Sequence, residues 1–335
     1  MKVSVIIPNY NRAALIGETI ENMLSQTLAP HEVIVVDDGS TDNSIEVIRS
    51  FGEKVKLIQQ SNQGPATARN KGLSVATGEF IQFMDSDDLF SKNKLEVQAK
   101  LLDQTNSDIV FSPWAKIRLN GNEAVFENHV LQNELPNENI PLLHWYLRGW
   151  STVFQTFLIR HSFLKRVGGY KEDLMPAEDI EFFVRILLNA PRVSFTDECL
   201  TIYRIHDFAK ISGDGTMLDK RLIDRGNYLR YTCQNLANAN YQMDLYTSLC
   251  FKAEIWKLNR ELKQIDSCPA EIVNFLDEQY RSLEVPMLKA LLFYLRCLVY
   301  MRHKLSGSRW RSYYRSAYPT DSQKKLLNEL DYSVR

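Results

Sequence analysis

"FIQFMDSDDLF", residues 80–90, sets the first constraint on the fold. Phe80 to Met84 is an apolar run interrupted only by Gln82, the pattern of a short strand buried on both faces. It runs straight into Asp85, Asp87 and Asp88. Carboxylates this close repel one another unless donors or a cation offset the charge. In an extended strand the side-chain period is two, so Asp85 and Asp87 are expected on one side and Asp88 on the other, unless the chain turns.

The same kind of strand recurs upstream. "KVSVIIP" (2–8), "EVIVVDD" (32–38) and "VKLIQQ" (55–60) are short runs rich in β-branched residues. Helical patterns separate them. "LIGETIENMLSQ" places Ile16, Ile20, Met23 and Leu24 at helical spacing, with Asn11 as the expected N-cap. "GSTDNSIEVIRSF" opens on a cap cluster, and "PATARNKGLSVATG" starts with Pro65 and stops at Gly78. This alternation predicts βαβ units with right-handed crossovers and a mostly parallel α/β sheet with flanking helices.

The alternation continues through a helix, "NKLEVQAKLLDQT" (93–105), and a strand, "DIVFSPW" (108–114), and is lost after about residue 115. Asn120-Gly121 between alternating segments signals a hairpin. "AEDIEFFVRILLN" (177–189) predicts a helix with Ile180, Phe183, Val184 and Leu187 on one face. "RVSFTDECLTIYRIH" (192–206) predicts closing strands. From about residue 216 long helical patterns follow one another. The expected organisation is a catalytic unit over 1–215, divided near 115 and 116, and a helical C-terminal region over 216–335.

The 335 residues carry 44% hydrophobic and 24% charged side chains and a formal net charge of −1, so no global charge points to nucleic acid. Five scattered cysteines form no CxxC pair, which argues for a reducing compartment and against a zinc site. The apolar part of the N-terminus is too short for a secretory signal, and Pro8 breaks it. No apolar run reaches the length that spans a bilayer; "ALLFYLRCLVYM" is interrupted by Arg296.

In parallel sheets ligands bind outside the carboxyl ends of the strands. Four polar clusters fall there: "PNYN" after strand one, Asp37-Asp38-Gly39-Ser40 after strand two, "SNQGPATARN" after strand three, and the Asp85 cluster. Neither a GxGxxG nor a GxxxxGK[ST] element is present, so backbone cradling of a phosphate is disfavoured. A divalent cation held by carboxylates, Mg²⁺ or Mn²⁺, is the alternative way to neutralise a diphosphate. A nucleotidyltransferase would share such carboxylates but would want a Gly-rich basic loop where this chain has "PNYNR".

Taken together, "VSVIIPNYNR", "VIVVDDGSTD", "ARNKGL", "GEFIQFMDSDD" and "AEDIEFF" resemble the family 2 glycosyltransferases of GT-A fold, over about residues 1–212. The resemblance implies an inverting, metal-dependent enzyme that moves a sugar from a nucleotide-sugar donor, with UDP favoured, to a hydroxyl of a glycan or lipid-linked acceptor, as in cell-surface polysaccharide synthesis. By matching position, Pro8 and Tyr10 would flank the base and Asp38 would accept from a base N–H. Arg69 would hold the donor, Asp85 would contact ribose or sugar, and Asp87 would ligate the metal. Asp179 would be the catalytic base, with Glu178 its neighbour on the acceptor side. "YRIHDFAKIS" resembles a further family element, in which His206 closes over the diphosphate or completes the metal shell. The competing reading is a catalytically silent nucleotide-sugar-binding or scaffold module, against which the intact Asp85, Asp87 and Asp179 speak.

Between Val285 and Tyr318 lie Lys289, Arg296, Arg302, Lys304, Arg309, Arg311 and Arg315, no acid, and six aromatic residues. Basic residues interleaved with aromatics suit the surface of an anionic membrane. The expected location is cytoplasmic, peripheral at the inner face of the membrane.

Overall fold

The computed structural model describes residues 1–120, 123–132, 140–148, 153–175, 177–206, 218–280, 316–317 and 319–328. The first elements follow the alternation: β1 (Val3–Asn9), α1 (Ala13–Leu24), β2 (Glu32–Asp37), α2 (Ser44–Arg49), β3 (Lys56–Gln59), α3 (Pro65–Val75) and β4 (Phe80–Phe83). β1 pairs in parallel with β2 on one side and β4 on the other, and β2 pairs in parallel with β3. The chain therefore winds outward from β1 to β3 and returns to the far side of β1. The reversal makes a topological switch point between β1 and β4, where the carboxyl ends open a crevice.

Alternation along these strands serves two layers. Ile6, Ile34, Val36, Ile81 and Phe83 pack into one cluster, and Val3, Val5, Ile7, Val33, Val35 and Phe80 into the other. α1 closes the second layer with Ile16, Ile20 and Met23. α3 closes the first so tightly that a Cβ on Gly72 would sit 2.4 Å from Ile6 Cγ2. α1 starts without the expected cap: Asn11 has a positive φ of 50°, and its Oδ1 accepts from the backbone N–H of Thr41 and Asp42. Asn11 ties two strand-end loops together.

A two-residue strand, β5 (Leu89–Phe90), leads to α4 (Lys94–Thr105) and β6 (Ile109–Phe111). The hairpin follows as β7 (Trp114–Asn120) and β8 (Glu123–Leu131), then α5 (Leu142–Leu147), a 3-10 turn (Phe154–Thr156), β9 (Phe157–Arg160), α6 (His161–Val167) and α7 (Glu178–Leu188). β9 inserts antiparallel between β4 and β6, so the main sheet is not uniformly parallel. β10 (Val193–Phe195) completes it in the order β10-β6-β9-β4-β1-β2-β3. β11 (Thr201–Ile205) lies in a second sheet, beside β5 and β7. α7 buries Phe182, Phe183, Val184, Ile186 and Leu187, whereas Ile180 is exposed. The inward stripe is thus rotated from the expected face.

The helices α8 (Leu218–Asn238), α9 (Leu245–Leu262) and α10 (Ala270–Tyr280) confirm the helical pattern after residue 216. Their Leu229, Phe251, Ile255, Leu258 and Leu276 belong to the same buried cluster as Ile6, Ile81 and Phe83. The division near 216 is a change of element type, and the core runs across it. The chain also returns: β12 (Ser316–Ala317) pairs with β8. Leu327 of α11 (Asp321–Asn328) is buried with Ile117, Phe126 and Ile202 on the second sheet. Most of the basic and aromatic stretch 285–318 lies outside the described residues. Among the described residues, no helix is long and apolar enough to cross a membrane.

Candidate active site

The β1 end supplies Asn9, Tyr10 and Arg12. Asn9 is buried, and its Nδ2 donates to Asp37 Oδ2 at 2.8 Å. Pro8 is half-buried at register with Val36, and Tyr10 is exposed on the rim. Asp37 is fully buried and also accepts from Ser40 N–H and Oγ. It serves the turn of "DDGS".

Asp38 organises the next loop. Its Oδ1 accepts from Gln63 N–H and Gln60 Nε2, both at 2.8 Å, and its Oδ2 accepts from Gly64 N–H at 2.8 Å. Gly64 has a φ of +91°, which a side chain would strain, and it leads directly into Pro65 at the start of α3. One carboxylate thus fixes the entry of the helix that carries Arg69 and Asn70.

Arg69 joins the two halves of the crevice. Its Nη2 donates to Asp85 Oδ1 at 2.9 Å and its Nη1 to Glu178 Oε1 at 3.2 Å, while Asp179 Oδ1 lies 3.5 Å from Nη1. Its guanidinium sits over the Tyr170 ring at 5.3 Å. Arg69 and Glu178 are nearly buried, with 7% and 6% of their side chains exposed, whereas Asp85 and Asp179 keep 33% and 37% open. The open carboxylates face solvent and the other two lie behind them. Asn70 adds a two-way clasp on Tyr170: its Nδ2 donates to the Tyr170 carbonyl at 3.0 Å and its Oδ1 accepts from Tyr170 N–H at 2.7 Å.

The strand ends at Phe83, and residues 84–88 form a turn. The period-two expectation therefore fails locally. Asp85 turns toward Arg69, and Asp87 turns toward Arg12 Nε at 3.1 Å and His206 Nε2 at 3.0 Å. Asp88 is fully buried. Its Oδ1 accepts from Arg204 N–H at 2.8 Å, and its Oδ2 accepts from the Gln155 amide. Arg204, also buried, reaches the Asp87 carbonyl, Glu18 and Thr19. Thr19 Oγ1 in turn donates to the carbonyls of Ser86 and Asp88. The acidic turn is thus held from behind by donors on α1, β11 and the segment before β9.

These surroundings divide the carboxylates electrically. Lost hydration raises the Asp179 pKa to about 6; Arg69 opposes the rise and the Glu178 charge adds to it. Burial likewise raises Asp85 and Glu178, against the pull of Arg69. Asp87 goes the other way. Burial disfavours its charge, but the His206 hydrogen bond and Arg12 outweigh that and hold it below the usual carboxylate range.

The donor set suits a hard divalent cation in chemistry. Asp85 uses Oδ1 toward Arg69, and Asp87 uses Oδ2 toward Arg12 and His206, so each carboxylate keeps one oxygen outside these bonds. Among the described residues no group of three or more His, Cys, Asp or Glu side chains is poised around one point. A cation here would therefore need a ligand's oxygens and water for most of its shell.

Sequence reasoning missed Arg12, Tyr170, Gln155 and Arg204. Arg12 and Arg204 stand inside "PNYNR" and "YRIH", so a signal existed. Tyr170 and Gln155 reach the site only through folding.

Residues 4–168 match the family Glycosyl transferase family 2. An uncharacterized glycosyltransferase of Rickettsia felis is 38% identical over 160 residues, 46% of this chain and 27% of that protein. The chain thus spans about a quarter of that relative's length. The uncharacterized glycosyltransferase YibD of Escherichia coli is 29% identical over 248 residues, 69% of each chain. Among solved structures, S. aureus TarS 1-349 in complex with UDP matches with a TM-score of 0.61 at 23% identity, covering 93% of both chains. At that identity the likeness speaks for the fold. The switch-point crevice lies within the segment, residues 4–168, that matches glycosyl transferase family 2, and the fold match to TarS agrees with a GT-A architecture.

Proposed function

We propose that the chain transfers a sugar from a nucleoside-diphosphate donor, a UDP-sugar, to a hydroxyl of a glycan or lipid-linked acceptor, with inversion at the anomeric carbon. The observation that carries this reading is the Arg69 bridge. One guanidinium ties Asp85, on the donor side of the switch point, to Glu178 and Asp179 across the crevice. UDP is favoured by the fold match to a protein solved with UDP.

Inversion by direct displacement needs one base to take the acceptor proton as the hydroxyl attacks. Asp179 is the exposed carboxylate of the far wall, and its raised pKa still leaves it ionised at neutral pH. Arg69 and Glu178 hold it from behind. On the donor side, Tyr10 offers an open aromatic face to a base and Asp85 an open oxygen to ribose or sugar. Asp38 keeps the loop around Gly64 in place, and its role toward a base N–H would use lone pairs left by its three internal bonds.

Asp87 would hold Mn²⁺ or Mg²⁺ together with the diphosphate, with His206 beside it. Bound there, the cation would offset charge on the departing diphosphate. His206 and Arg12 keep Asp87 ionised and aimed, which is the state a cation requires. We also assign the basic and aromatic stretch 285–318 to an anionic membrane surface, which would place the enzyme at the inner face of the membrane. The decisive experiment measures transfer from UDP-sugars by wild type and by Asp179→Asn. Donor binding should survive in the variant while transfer is lost; transfer at the wild-type rate would overturn the assignment.

A further inference from the structure

Lys94, at the start of α4, has no exposed surface. Three partners surround its ammonium. Nζ donates to Gln82 Oε1 of β4 at 2.7 Å and to Gln98 Oε1 of α4 at 2.9 Å, and it lies 4.1 Å from the centre of the Phe90 ring. Gln82, Gln98 and Phe90 are equally sealed from solvent. Burying a cation is costly, and a methionine would fill this space without that cost.

The two amides carry the effect of the charge onward. Gln82 Nε2 donates to the Gln155 carbonyl and Gln98 Nε2 to the Thr156 carbonyl, both at 2.9 Å. An ammonium only donates and a peptide carbonyl only accepts, so each amide has one permitted sense, oxygen toward Lys94 and nitrogen toward the 3-10 turn. The turn, Phe154–Thr156, is thereby gripped at two successive carbonyls. The Gln155 side chain is 4% exposed and donates to Asp88 Oδ2, next in the chain to Asp87. A run of bonded groups thus leads from Lys94 to the acidic turn of the crevice.

The charge of the lysine matters to this run. A neutral amine carries a lone pair and accepts as well as donates. Either amide could then turn its nitrogen to Lys94, which would set an oxygen against the Gln155 or Thr156 carbonyl and release the turn. Burial pushes the Lys94 pKa down to about 7, so the charge is lost within the neutral range. Among the described residues Cys199 is the titratable group that couples to it, and burial raises that thiol to about 11, which keeps it neutral there. From β4, α4 and β5 the uncharged Gln82, Gln98 and Phe90 face the ammonium.

We propose that Lys94 is a positioning residue for the donor site: its ammonium fixes the 3-10 turn so that Gln155 holds Asp87 and Asp88 in the arrangement that takes a metal and a diphosphate. The inference rests on the glycosyl-transfer reading and adds to it a residue that acts through Gln155.

Calorimetry of UDP binding with and without Mg²⁺, at pH 6.5 and pH 8.5, tests this in wild type, Lys94→Met, Gln155→Leu and the double variant. At pH 6.5 Lys94→Met should lower the Mg²⁺-dependent gain in UDP affinity about three- to tenfold and leave metal-free affinity unchanged. Gln155→Leu should do the same, and adding Lys94→Met to it should change little more, because both act through one contact. At pH 8.5 each single variant should converge on wild type; Gln155→Leu keeps Lys94, so this arm stands even where Lys94→Met does not fold. Stability runs the other way. An amine whose pKa falls on folding binds fewer protons folded than unfolded between about 7 and the ordinary lysine value, so wild type should gain in melting temperature over Lys94→Met as pH rises. A purely structural lysine would let affinity follow stability, both in favour of wild type at pH 8.5, and that result would overturn the inference. Additive losses in the double variant, or an unchanged Mg²⁺ gain in Lys94→Met, would overturn it as well. Failure of wild type to bind UDP under every condition would instead sink the donor reading, and the proposal with it.

Discussion

Arg204 donates from Nε to the main-chain carbonyl of Asp87, and two residues further along the same chain His206 meets the carboxylate of that Asp87 at 3.0 Å. Residues two apart at a strand end share a face, so β11 grips Asp87 at both its backbone and its side chain. Arg204 also spans to Thr19 on α1 and sends its own N–H to Asp88.

Removing that guanidinium would leave the Asp87 carbonyl without its donor. Glu18 is half-exposed, so its ion pair adds little. Arg204→Ala is expected to cost about 1–3 kcal/mol in urea denaturation and to weaken metal-dependent donor binding. Glu18→Gln should cost much less. An unchanged urea midpoint in Arg204→Ala would show that the turn is held by its other bonds.

Asp179 gives a prediction with a definite sign. As the proposed base Asp179 would work ionised, and its pKa is raised to about 6. The kcat/KM for transfer should therefore climb with pH and level off above a limb near that value. Asp179→Asn should remove the limb and reduce transfer about 10²–10⁴-fold. A carboxylate raised above its unfolded value loses stability when it ionises in the fold. At pH 8 the Asn variant should therefore melt above wild type, and the gap should close below the unfolded value near pH 4. A gap that widens on acidification would contradict the raised pKa.

Much of this site was legible because parallel strands announce their carboxyl ends. Asp38, Asp85 and Asp87 could be placed at the carboxyl ends of the strands from strand order alone. The turn after Phe83 was left open, because the Asp and Ser of "MDSDDL" suit a turn and an extended strand end bearing ligand carboxylates alike, and no Gly or Pro fixes the choice. The antiparallel insertion of β9 was hidden as well, since "FLIR" reads the same in either direction. Lys94 shows the limit of polarity as a guide. It is fully buried between Gln82 and Gln98, with Nζ 4.1 Å from the Phe90 ring centre, and burial pushes it down to about 7. Arg69 was assigned to the donor alone, because nothing local to "ARN" reveals carboxylates more than a hundred residues away.

The metal assignment can be tested without turnover. Asp87 is held below the usual carboxylate range by His206 and Arg12, so it should be available as a charged ligand across the neutral range. Calorimetry of UDP binding with Mn²⁺ should show a strong gain over EDTA-treated protein. Asp87→Ala should lose that gain while metal-free affinity changes little. Equal metal enhancement in the variant would move the cation elsewhere.

Gly72 tests how the donor side is built. The Cβ of an alanine there would meet Ile6 Cγ2 at 2.4 Å, and Ile6 sits in the central strand with no exposed surface. The helix would have to lift from the sheet, carrying Arg69 with it. Gly72→Ala should destabilise by about 1–3 kcal/mol and weaken donor binding. Gly72→Ala paired with Ile6→Val should recover part of both losses, since the smaller side chain reopens the contact.

The membrane assignment needs a test shaped by the return of the chain. Deleting residues 285–335 would also remove β12 and α11, and with them Leu327 from the core of the second sheet. Any loss of membrane binding could then reflect damage to that sheet. Charge substitution avoids this: Lys289, Arg296, Arg302 and Lys304 can be changed to Gln together, leaving residues 316–328 in place. Flotation with vesicles rich in anionic lipid should recover wild type and lose most of the variant. Recovery of wild type should also fall as salt is raised, because each cation near an anionic surface contributes about 1 kcal/mol that salt screens. Equal flotation of the two proteins at low salt would count against this stretch as the membrane contact.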